Sequence, residues 1–225
     1  MSNSILIIGE SGKGKSRSIY NLDPTTTFLI NVIGKELPFK GFREKYRPYD
    51  KATKKGNMVV THDSHQIQKY LNAVSDNFPQ FKTIIIDDAQ YVMAFEFMKR
   101  AKEKGYDKYV ELAQNFFDVI KTAQSLRDDI TVIILSHSED INGNGSTKTK
   151  IKTIGKMLDE KITLEGLFTI VLLADSRKND KSIDHFFITN SDGSNTCKSP
   201  EGMFPLEIPN DLKNTLIQIE NYYNN

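Results

Sequence analysis

The sequence predicts an α/β protein with a mainly parallel central sheet and an antiparallel hairpin near the carboxyl end. Apolar, β-rich runs bounded by turn residues alternate with segments of helical period, which is the pattern of successive βαβ units. The early runs are continuously apolar, as expected for parallel strands that are covered on both faces. The last two runs are joined by a short polar turn, Ser176–Ser182, which predicts that they pair as a hairpin.

Seven runs are predicted as strands, and three apolar stripes at helical spacing are predicted as helices that pack on the sheet. The predicted strands are Ser4–Ile8, Thr27–Ile33, Asn57–Thr61, Lys82–Asp87, Ile130–Ser136, Phe168–Ala174 and Ile183–Thr189. The stripes are Ile67, Tyr70, Leu71, Val74 and Phe78; Tyr109, Leu112, Phe116, Val119, Ile120, Ala123 and Leu126; and Leu212, Leu216, Ile219 and Tyr223.

The composition is that of one globular domain, residues 1–225, with enough length for a full hydrophobic core. A formal net charge of +1 excludes a strong overall attraction to nucleic acid, so any such affinity needs a local basic patch. The single cysteine, Cys197, excludes an intramolecular disulfide framework and a cysteine-rich zinc site. No apolar run reaches membrane-spanning length, and the first strand begins near residue 4, which predicts a cytoplasmic protein without a signal peptide.

A glycine-rich segment after the first strand fits the phosphate-binding pattern G-x-x-x-x-G-K-[ST], the P-loop. It follows the apolar run Ile5–Ile8 and precedes Arg17–Leu22, which is predicted as a short helix, so the strand–loop–helix context is present. Glycines allow backbone N–H groups to surround phosphates, Lys15 can reach the β- and γ-phosphates, and Ser16 can bind Mg²⁺. The predicted nucleotide-binding residues are Gly9, Glu10, Ser11, Gly12, Lys13, Gly14, Lys15, Ser16 and Arg17.

A second motif supplies the carboxylate that a P-loop needs beside it. The apolar run that starts at Thr83 ends in Asp87 and Asp88, which is the Walker B pattern. Asp87 is predicted to hold Mg²⁺ together with Ser16, and Asp88 is the alternative for this role. Asp88 otherwise takes the place of a water-activating acid, although its short side chain also suits a solvated residue or a helix cap.

A further buried strand, Ile130–Leu135, ends in two polar residues, Ser136 and His137. Polar residues at this position can sense the γ-phosphate and transmit its state to the next loop. The alternative is that they only end the strand and satisfy backbone groups.

Two long segments carry basic residues without a strand or helix period. Lys35–Gly56 holds eight basic and three acidic residues with aromatic side chains between them, and Ser138–Gly155 contains Lys148, Lys150 and Lys152. Loops of this length are usually functional or disordered. Either segment is a candidate for contact with a nucleic-acid backbone, with the tyrosines of Lys35–Gly56 as stacking platforms, and solvated loops are the alternative.

The order of P-loop strand, second strand, Walker B strand, polar-ended strand, long loop and terminal hairpin resembles the RecA/Rad51-like ATPase core. More closely, the chain resembles small phage-encoded ATP-binding proteins of the single-strand-annealing recombinase group, which are RecA cores without extra terminal domains. Two segments carry this likeness: residues 31–41 (NVIGKELPFKG) after the second strand and residues 197–204 (CKSPEGMF) after the last. The resemblance covers nearly the whole chain and implies a RecA-like P-loop NTPase fold.

The resemblance also implies roles for further residues. In such cores the loop after the polar-ended strand contacts single-stranded DNA, which here implies Lys148, Lys150 and Lys152. A lysine after the last strands acts on the neighbouring subunit's nucleotide, which here implies Lys198 or, alternatively, Arg177. The implied ligands are ATP and Mg²⁺. The implied partners are single-stranded DNA, further copies of the chain in a ring or filament, and a single-strand-binding protein, with no membrane.

One departure from the family pattern concerns hydrolysis. RecA-like enzymes carry a catalytic Glu in an Asp-x-Glu arrangement at the end of the second strand, where this chain has Asn31-Val32-Ile33. Glu36 lies three residues later and Asp88 lies on another strand, and both are candidate replacements. The resemblance therefore implies ATP binding with slow or DNA-dependent hydrolysis, in single-strand annealing or recombination.

Two other functions fit the P-loop. One is a nucleotide or small-molecule kinase, but no arginine-rich lid follows the Walker B strand, and Lys99–Lys102 is the nearest approximation. The other is a non-catalytic scaffold that ATP switches between oligomeric states, which the missing Glu favours.

Overall fold

The computed structural model describes residues 2–143, 146–155 and 158–224 of the chain. Its strands are β1 (Asn3–Ile8), β2 (Thr27–Asn31), β3 (Met58–Val60), β4 (Thr83–Asp87), β5 (Thr131–Leu135), β6 (Ser138–Gly143), β7 (Ser146–Ile151), β8 (Ile170–Lys178), β9 (Ile183–Ile188) and β10 (Glu207–Pro209). Its α-helices are α1 (Phe42–Lys45), α2 (Ser64–Asn77), α3 (Tyr91–Lys99), α4 (Asp107–Gln124) and α5 (Leu212–Asn224). Shorter turns are 3₁₀-helical at Ser16–Asn21 and Leu164–Leu167 and π-helical at Leu158–Ile162.

Eight of these strands form one sheet in the order β10-β9-β8-β1-β5-β4-β2-β3, while β6 and β7 form a separate ribbon. All neighbours from β3 to β8 run parallel, whereas β9 and β10 are antiparallel to their neighbours. The predicted α/β fold with a mainly parallel sheet and a carboxyl-terminal antiparallel hairpin is therefore confirmed.

The strand order determines where the predicted site residues meet. β1 lies between β5 and β8, and β5 separates β1 from β4. Parallel strands end at the same edge of a sheet, and ligands of such sheets bind beyond that edge. The P-loop after β1, Asp87 at the end of β4 and Ser136 after β5 are therefore brought to one side of the molecule.

Hydrophobic side chains cover both faces of the sheet, which explains the unbroken apolar run of β1. Leu6 and Ile8 pack on one face with α2 and α4, whereas Ile5 and Ile7 pack on the other face with α5 and the first 3₁₀ turn. Full burial of an aliphatic side chain stabilises the fold by about 1.5–3 kcal/mol. The strand that carries the P-loop is thus held by packing from both sides.

The three predicted helices are confirmed as α2, α4 and α5. One residue of the predicted apolar stripes does not pack on the sheet. Tyr223, the last member of the third stripe, is exposed because α5 extends beyond the edge of the core after Ile219. The short helix predicted after the P-loop is also present, as a single 3₁₀ turn.

The segment Ser138–Gly155 is not the loop that the sequence predicts. Most of it is an antiparallel ribbon of β6 and β7, in which Ser138 pairs with Ile151 and Ile141 pairs with Lys148. A ribbon with polar residues on both strands lacks the apolar alternation that marks a half-buried strand. Asn144, Gly145, Lys156 and Met157 of this region lie outside the described residues.

The prediction of tyrosine stacking platforms in Lys35–Gly56 is wrong for Tyr46, whereas Tyr49 is half-buried. Tyr46 is only 1% exposed, and Phe42 is also buried. Tyr49 packs edge-on against Phe28 and Phe78, with ring centroids 6.4 and 5.6 Å apart. The aromatic residues of this connection pack against the hydrophobic core beside β2, and Tyr46 in particular has no ring face available to nucleic-acid bases.

Within the part of the chain that the structure describes, no helix combines the length and the hydrophobicity needed to cross a lipid bilayer.

Candidate nucleotide-binding site

A cleft of about 300 Å³ lies beyond the carboxyl ends of β1, β4 and β5. The P-loop forms one wall of it, and the opposite wall comes from the connection after β2 and from the ends of β4 and β5. Its lining residues are Ser11, Gly12, Gly14, Lys15, Ser16, Arg17, Lys35, Glu36, Pro38, Asp88, His137 and His185. A larger cavity of about 520 Å³ lies at the other end of β1, where Lys121 is the charged lining residue. Of these two, the first cleft combines lysines with carboxylates.

Lys15 lies inside the P-loop and is only 5% exposed. Its Nζ donates hydrogen bonds to the carbonyl oxygens of Gly9 (2.6 Å) and Glu10 (2.8 Å). Burial lowers the pKa of Lys15 to about 8, although the charges of Asp88 and Asp87 oppose this shift. A buried ammonium group that bonds only to carbonyl oxygens is well placed to gain a phosphate as its counter-ion.

Not every residue of the P-loop turns its side chain toward the cleft. Lys13 Nζ forms an ion pair with Asp175 Oδ1 on β8 at 2.7 Å, and Lys13 and Glu10 line a separate cavity of about 190 Å³. Nucleotide contacts predicted for these two residues are therefore restricted to their backbone groups.

Gly14, the third glycine of the loop, is required by a contact with a distant strand that the motif does not reveal. Its φ is +91°, and a Cβ atom there would lie 2.9 Å from Nδ1 of His185 on β9 and 3.2 Å from Nδ2 of Asn210. His185 packs so close to the loop that a side chain at residue 14 would displace it. Nothing in the sequence marks His185 as a lining residue, because β9 is far from the P-loop along the chain.

Ser16 and Asp87 are in direct contact. Ser16 Oγ donates a hydrogen bond of 2.8 Å to Asp87 Oδ1, while Asp87 Oδ2 is buried and has no hydrogen-bond partner among the described residues. Burial, and next the charge of Asp88, raises the pKa of Asp87 to about 7. A hydroxyl, a carboxylate and an unpartnered carboxylate oxygen are oxygen ligands of the type that Mg²⁺ prefers. The residues present therefore fit this cation, and the contact favours Asp87 over Asp88 for the metal-side role.

Asp88 is held between a lysine and a histidine. Lys35 Nζ lies 2.5 Å from Asp88 Oδ2, and His137 Nε2 lies 3.4 Å from Asp88 Oδ1. Burial works against the ionised form, but the hydrogen bonds from His137 and Lys35 keep the pKa of Asp88 below its usual range. The side chain is 2% exposed, so the alternative of a solvated Asp88 is wrong. Its φ of +61° is unusual for a residue other than glycine.

Ser136 and His137 differ in their surroundings. Ser136 is buried, and its Oγ has no hydrogen-bond partner within the described residues. Three contacts hold His137 in place. Its backbone N–H donates a hydrogen bond to Gln90 Oε1 (2.9 Å), and its backbone carbonyl oxygen accepts one from the backbone N–H of Lys152 (2.8 Å). Its ring packs edge-on against Tyr91. His137 therefore connects the cleft directly to the base of the β6–β7 ribbon.

Glu36, one candidate for the displaced acid, lies at the rim of the cleft. Its Oε1 accepts a hydrogen bond of 2.6 Å from Arg43 Nε on α1, and both side chains are largely exposed. The ion pair with Arg43 directs the carboxylate outward, whereas Asp88 is directed inward. Of the two candidate replacements, Asp88 has the surroundings of an internal acid.

Lys198 and Arg177 occupy different places relative to the P-loop of their own chain, because Arg177 pairs with Asp184, the residue before the His185 that lies against Gly14. The backbone of Lys198 pairs with Val171 on β8, and Val171 is level with Leu6 on β1, below the point where the P-loop begins. Arg177 forms an ion pair with Glu207 and stacks over the ring of Phe186 at 4.0 Å. A residue that acts on a neighbouring subunit need not reach its own P-loop, so these positions are compatible with action in trans.

Lys148, Lys150 and Lys152 alternate along β7 and its continuation and so share one side of the chain. Lys150 forms an ion pair with Glu139 at 3.4 Å, whereas Lys148 and Lys152 are exposed. The ribbon is attached through Ser138 N–H, which bonds to the carbonyl oxygen of Gly9 at 3.2 Å, as well as through Lys152. Its lysines thus stand on an element that touches both the P-loop and His137.

Comparison with known proteins places residues 1–200 in a family described as an AAA domain (AAA_24). Among solved structures, the KaiC-like protein PH0186 from Pyrococcus horikoshii OT3 is 12% identical, with 92% of this chain and 84% of that chain covered and a TM-score of 0.49. The flagellar accessory protein FlaH from Methanocaldococcus jannaschii is 14% identical, with 82% and 76% covered and a TM-score of 0.42. No curated protein matches the chain.

Proposed function

The chain belongs to the AAA-domain family AAA_24, and we propose that it binds ATP with Mg²⁺ and uses the bound nucleotide to control single-stranded DNA binding in annealing or recombination. The observation that carries the nucleotide part is the Ser16–Asp87 hydrogen bond beside the buried Lys15. It joins the P-loop to the Walker B strand in the arrangement that a magnesium–phosphate group needs.

Each part of the cleft has a separate task in this proposal. The P-loop N–H groups and Lys15 bind the phosphates, while Ser16 and Asp87 would hold the cation. Bound Mg²⁺ would supply charge neutralisation at the phosphates. The unpartnered Oδ2 of Asp87 supports this assignment, because an isolated buried carboxylate oxygen is costly unless something binds it.

Slow hydrolysis fits the surroundings of Asp88. The position at the end of β2 where the family resemblance expects a catalytic Glu is taken by residues that cannot accept a proton, Asn31 and Ile33. Asp88 is engaged by Lys35 and His137, and its lowered pKa makes it a weak general base. The protein is therefore proposed to hold ATP for long periods between turnovers.

The β6–β7 ribbon is the proposed DNA-binding element. Its exposed lysines supply the positive charge that single-stranded DNA requires, and its attachment at Gly9 and His137 supplies a physical route from the cleft. Further copies of the chain, with Lys198 acting on a neighbouring nucleotide, complete the proposal. Burial of Tyr46 removes one of the two tyrosines of Lys35–Gly56 from contact with bases and so supports the ribbon over that segment.

One experiment tests this function directly. The affinity for a fluorescent single-stranded oligonucleotide is measured by anisotropy without nucleotide, with ADP and with a non-hydrolysable ATP analogue, all with Mg²⁺. Light scattering gives the mass of the assembly under the same conditions. We expect tighter DNA binding and a larger assembly with the analogue, and equal DNA affinity in all three conditions would contradict the proposal. Double-stranded DNA of equal length is the matched control.

A second function, the ATP-switched scaffold, is favoured by one observation. Asp88 is engaged by Lys35 on one side and by His137 on the other, which suits nucleotide binding without turnover. The kinase alternative gains no such support, because Arg100 of the only lid-like segment is paired with Glu96, Glu103 and Glu111. A scaffold would assemble with the ATP analogue but show the same DNA affinity with and without it.

A further inference from the structure

The geometry points to Lys35 as a second phosphate-binding residue of the cleft, which acts within its own subunit and recognises the terminal phosphate of a nucleoside triphosphate. This inference rests on the proposed nucleotide-binding function and deepens it. The P-loop motif does not include Lys35, which the sequence places in a long basic connection. In the structure it lines the same cleft as Lys15.

The backbone that carries Lys35 is fixed in place. Asn31 at the end of β2 accepts a hydrogen bond of 2.8 Å from the N–H of Gly34 and donates one of 2.7 Å to the carbonyl oxygen of Lys35. Gly34 has a φ of +82°, and a Cβ atom there would lie 2.8 Å from a methyl group of Val60. The chain therefore makes one defined turn between Asn31 and Lys35. This turn directs the lysine toward the end of β4.

The side chain of Lys35, in contrast, is free to change partners. It is 48% exposed, whereas its partner Asp88 is 2% exposed. The ammonium group can rotate toward the centre of the cleft while the carboxylate stays where it is. Lysine suits this exchange because its charge sits at the end of a flexible four-carbon stem.

A second cation is needed in the cleft because the negative charge of Asp88 lies close to where a phosphate would bind. A phosphate group that reaches Lys15 enters a space already occupied by the negative charges of Asp87 and Asp88. Asp87 can be neutralised by the cation that it holds with Ser16. Among the described residues the ion-pair partners of Asp88 are Lys35 and His137, and Lys15 is needed for the phosphates, so without Lys35 a triphosphate would meet a poorly compensated carboxylate. A diphosphate, which ends short of this position, would be affected less.

This assignment separates Lys35 from the other basic residues considered for the site. The backbone of Lys198 pairs with Val171, Arg177 is paired with Glu207, and Lys13 is paired with Asp175. Among the described lysines that line the cleft, Lys35 is the one that forms an ion pair with the acid at the end of β4. When Lys35 turns to a phosphate, Asp88 retains only His137, so the same movement links nucleotide occupancy to the base of the β6–β7 ribbon.

Nucleotide titrations test the inference. The affinities for a non-hydrolysable ATP analogue and for ADP, each with Mg²⁺, are measured for the wild type, Lys35→Ala, Lys35→Arg and Lys40→Ala. Lys40 is an exposed lysine of the same connection and is the matched control. We expect Lys35→Ala to weaken analogue binding by about tenfold or more and ADP binding by less than about threefold. Lys35→Arg should retain most of the preference for the analogue.

A second pair of variants excludes a purely structural role for Lys35. If Lys35 only neutralises Asp88, then Lys35→Ala has no effect on nucleotide preference in the Asp88→Asn background. If Lys35 binds phosphate, the Asp88→Asn/Lys35→Ala protein still prefers the analogue less than Asp88→Asn alone. Either an unchanged ratio in that background or a wild-type ratio in Lys35→Ala overturns the inference. A wild type that binds neither nucleotide overturns the proposed function instead.

Discussion

Ser16 Oγ and Asp87 Oδ1 are joined by a 2.8 Å hydrogen bond, although the two residues are 71 positions apart in the chain. The bond links a backbone loop that can bind phosphate to a strand end that can bind a cation. It also leaves the other carboxylate oxygen of Asp87 without a hydrogen-bond partner among the described residues.

Asp87→Asn should remove the dependence of nucleotide binding on Mg²⁺. The amide oxygen can still accept from Ser16, so the fold and the loop are retained, but the charge that attracts the cation is lost. We expect Mg²⁺ to improve nucleotide affinity about tenfold less than in the wild type. Asp76→Asn, at an exposed carboxylate on α2, is the control. Full magnesium dependence in Asp87→Asn would show that the cation is held elsewhere.

Lys15→Ala should abolish nucleotide binding while the melting temperature changes little. Burial already lowers the pKa of Lys15 to about 8, which means that the folded state holds this charge at a cost. Calorimetric titration with the ATP analogue and thermal unfolding measure the two effects separately. Lys13→Ala, whose side chain is paired with Asp175 outside the cleft, should weaken binding much less. Similar losses in both variants would contradict the assignment of Lys15 as the cleft cation.

Replacing Lys148, Lys150 and Lys152 by Ala should weaken single-stranded DNA binding and flatten its salt dependence. Each lost phosphate contact reduces the log–log salt slope by about 0.7 for a single strand. The matched variant replaces Lys51, Lys54 and Lys55, three exposed lysines of the connection between β2 and β3. A larger change in this second variant would move the DNA surface away from the ribbon.

Lys198→Ala should leave nucleotide binding to single subunits nearly intact but reduce assembly and hydrolysis. The backbone of Lys198 pairs with Val171, which is level with Leu6 rather than with the P-loop, so we expect its charge to act on a neighbour. Mixing Lys198→Ala with Lys15→Ala subunits creates some interfaces where an intact lysine meets an intact P-loop, and ATPase activity should partly return. No recovery at any ratio, together with normal assembly of Lys198→Ala, would exclude action in trans.

The Cys197 thiol should be inert in the native protein and should make stability fall at alkaline pH. Cys197 is 4% exposed, and burial raises its pKa to about 12. Because the unfolded thiol ionises near 9.0, its contribution is complete below that pH and is lost as the pH rises toward 12. Denaturant unfolding at pH 8 to 10 should show a steeper loss of stability in the wild type than in Cys197→Ala, by at most about 1.4 kcal/mol per pH unit. Equal slopes would contradict the shift.

The parts of the site that the sequence predicts are those built from consecutive residues. The P-loop and the acid pair after β4 follow from short motifs, and the alternation of strands and helices determines that they share an edge of the sheet. Lys35 could not be found in this way, because its role depends on Asn31, Asp88 and the adjacency of β2 and β4. The partners of Asp88 and the position of His185 likewise depend on contacts between distant segments.

The structures of the β6–β7 ribbon and of Lys35–Gly56 were not predicted from the sequence, for opposite reasons. In Ser138–Ile151 both strands carry polar side chains, so no hydrophobic period marks them, and backbone pairing alone defines the strands. In Lys35–Gly56 the basic residues dominate the composition, while the few aromatic residues determine the packing. The charge of a segment can be read from its sequence more easily than which of its side chains are buried.

The margins of the large sheet determine how copies of the chain can associate. Its two outermost strands, β3 and β10, have three residues each, and Pro209 in β10 has no N–H to donate. Short edge strands, and edge strands that contain proline, are poor templates for adding a strand from another molecule. Subunits of this protein should therefore join through side-chain surfaces that ligands and salt can adjust, rather than through continuous backbone pairing, so an assembly built from them can come apart again.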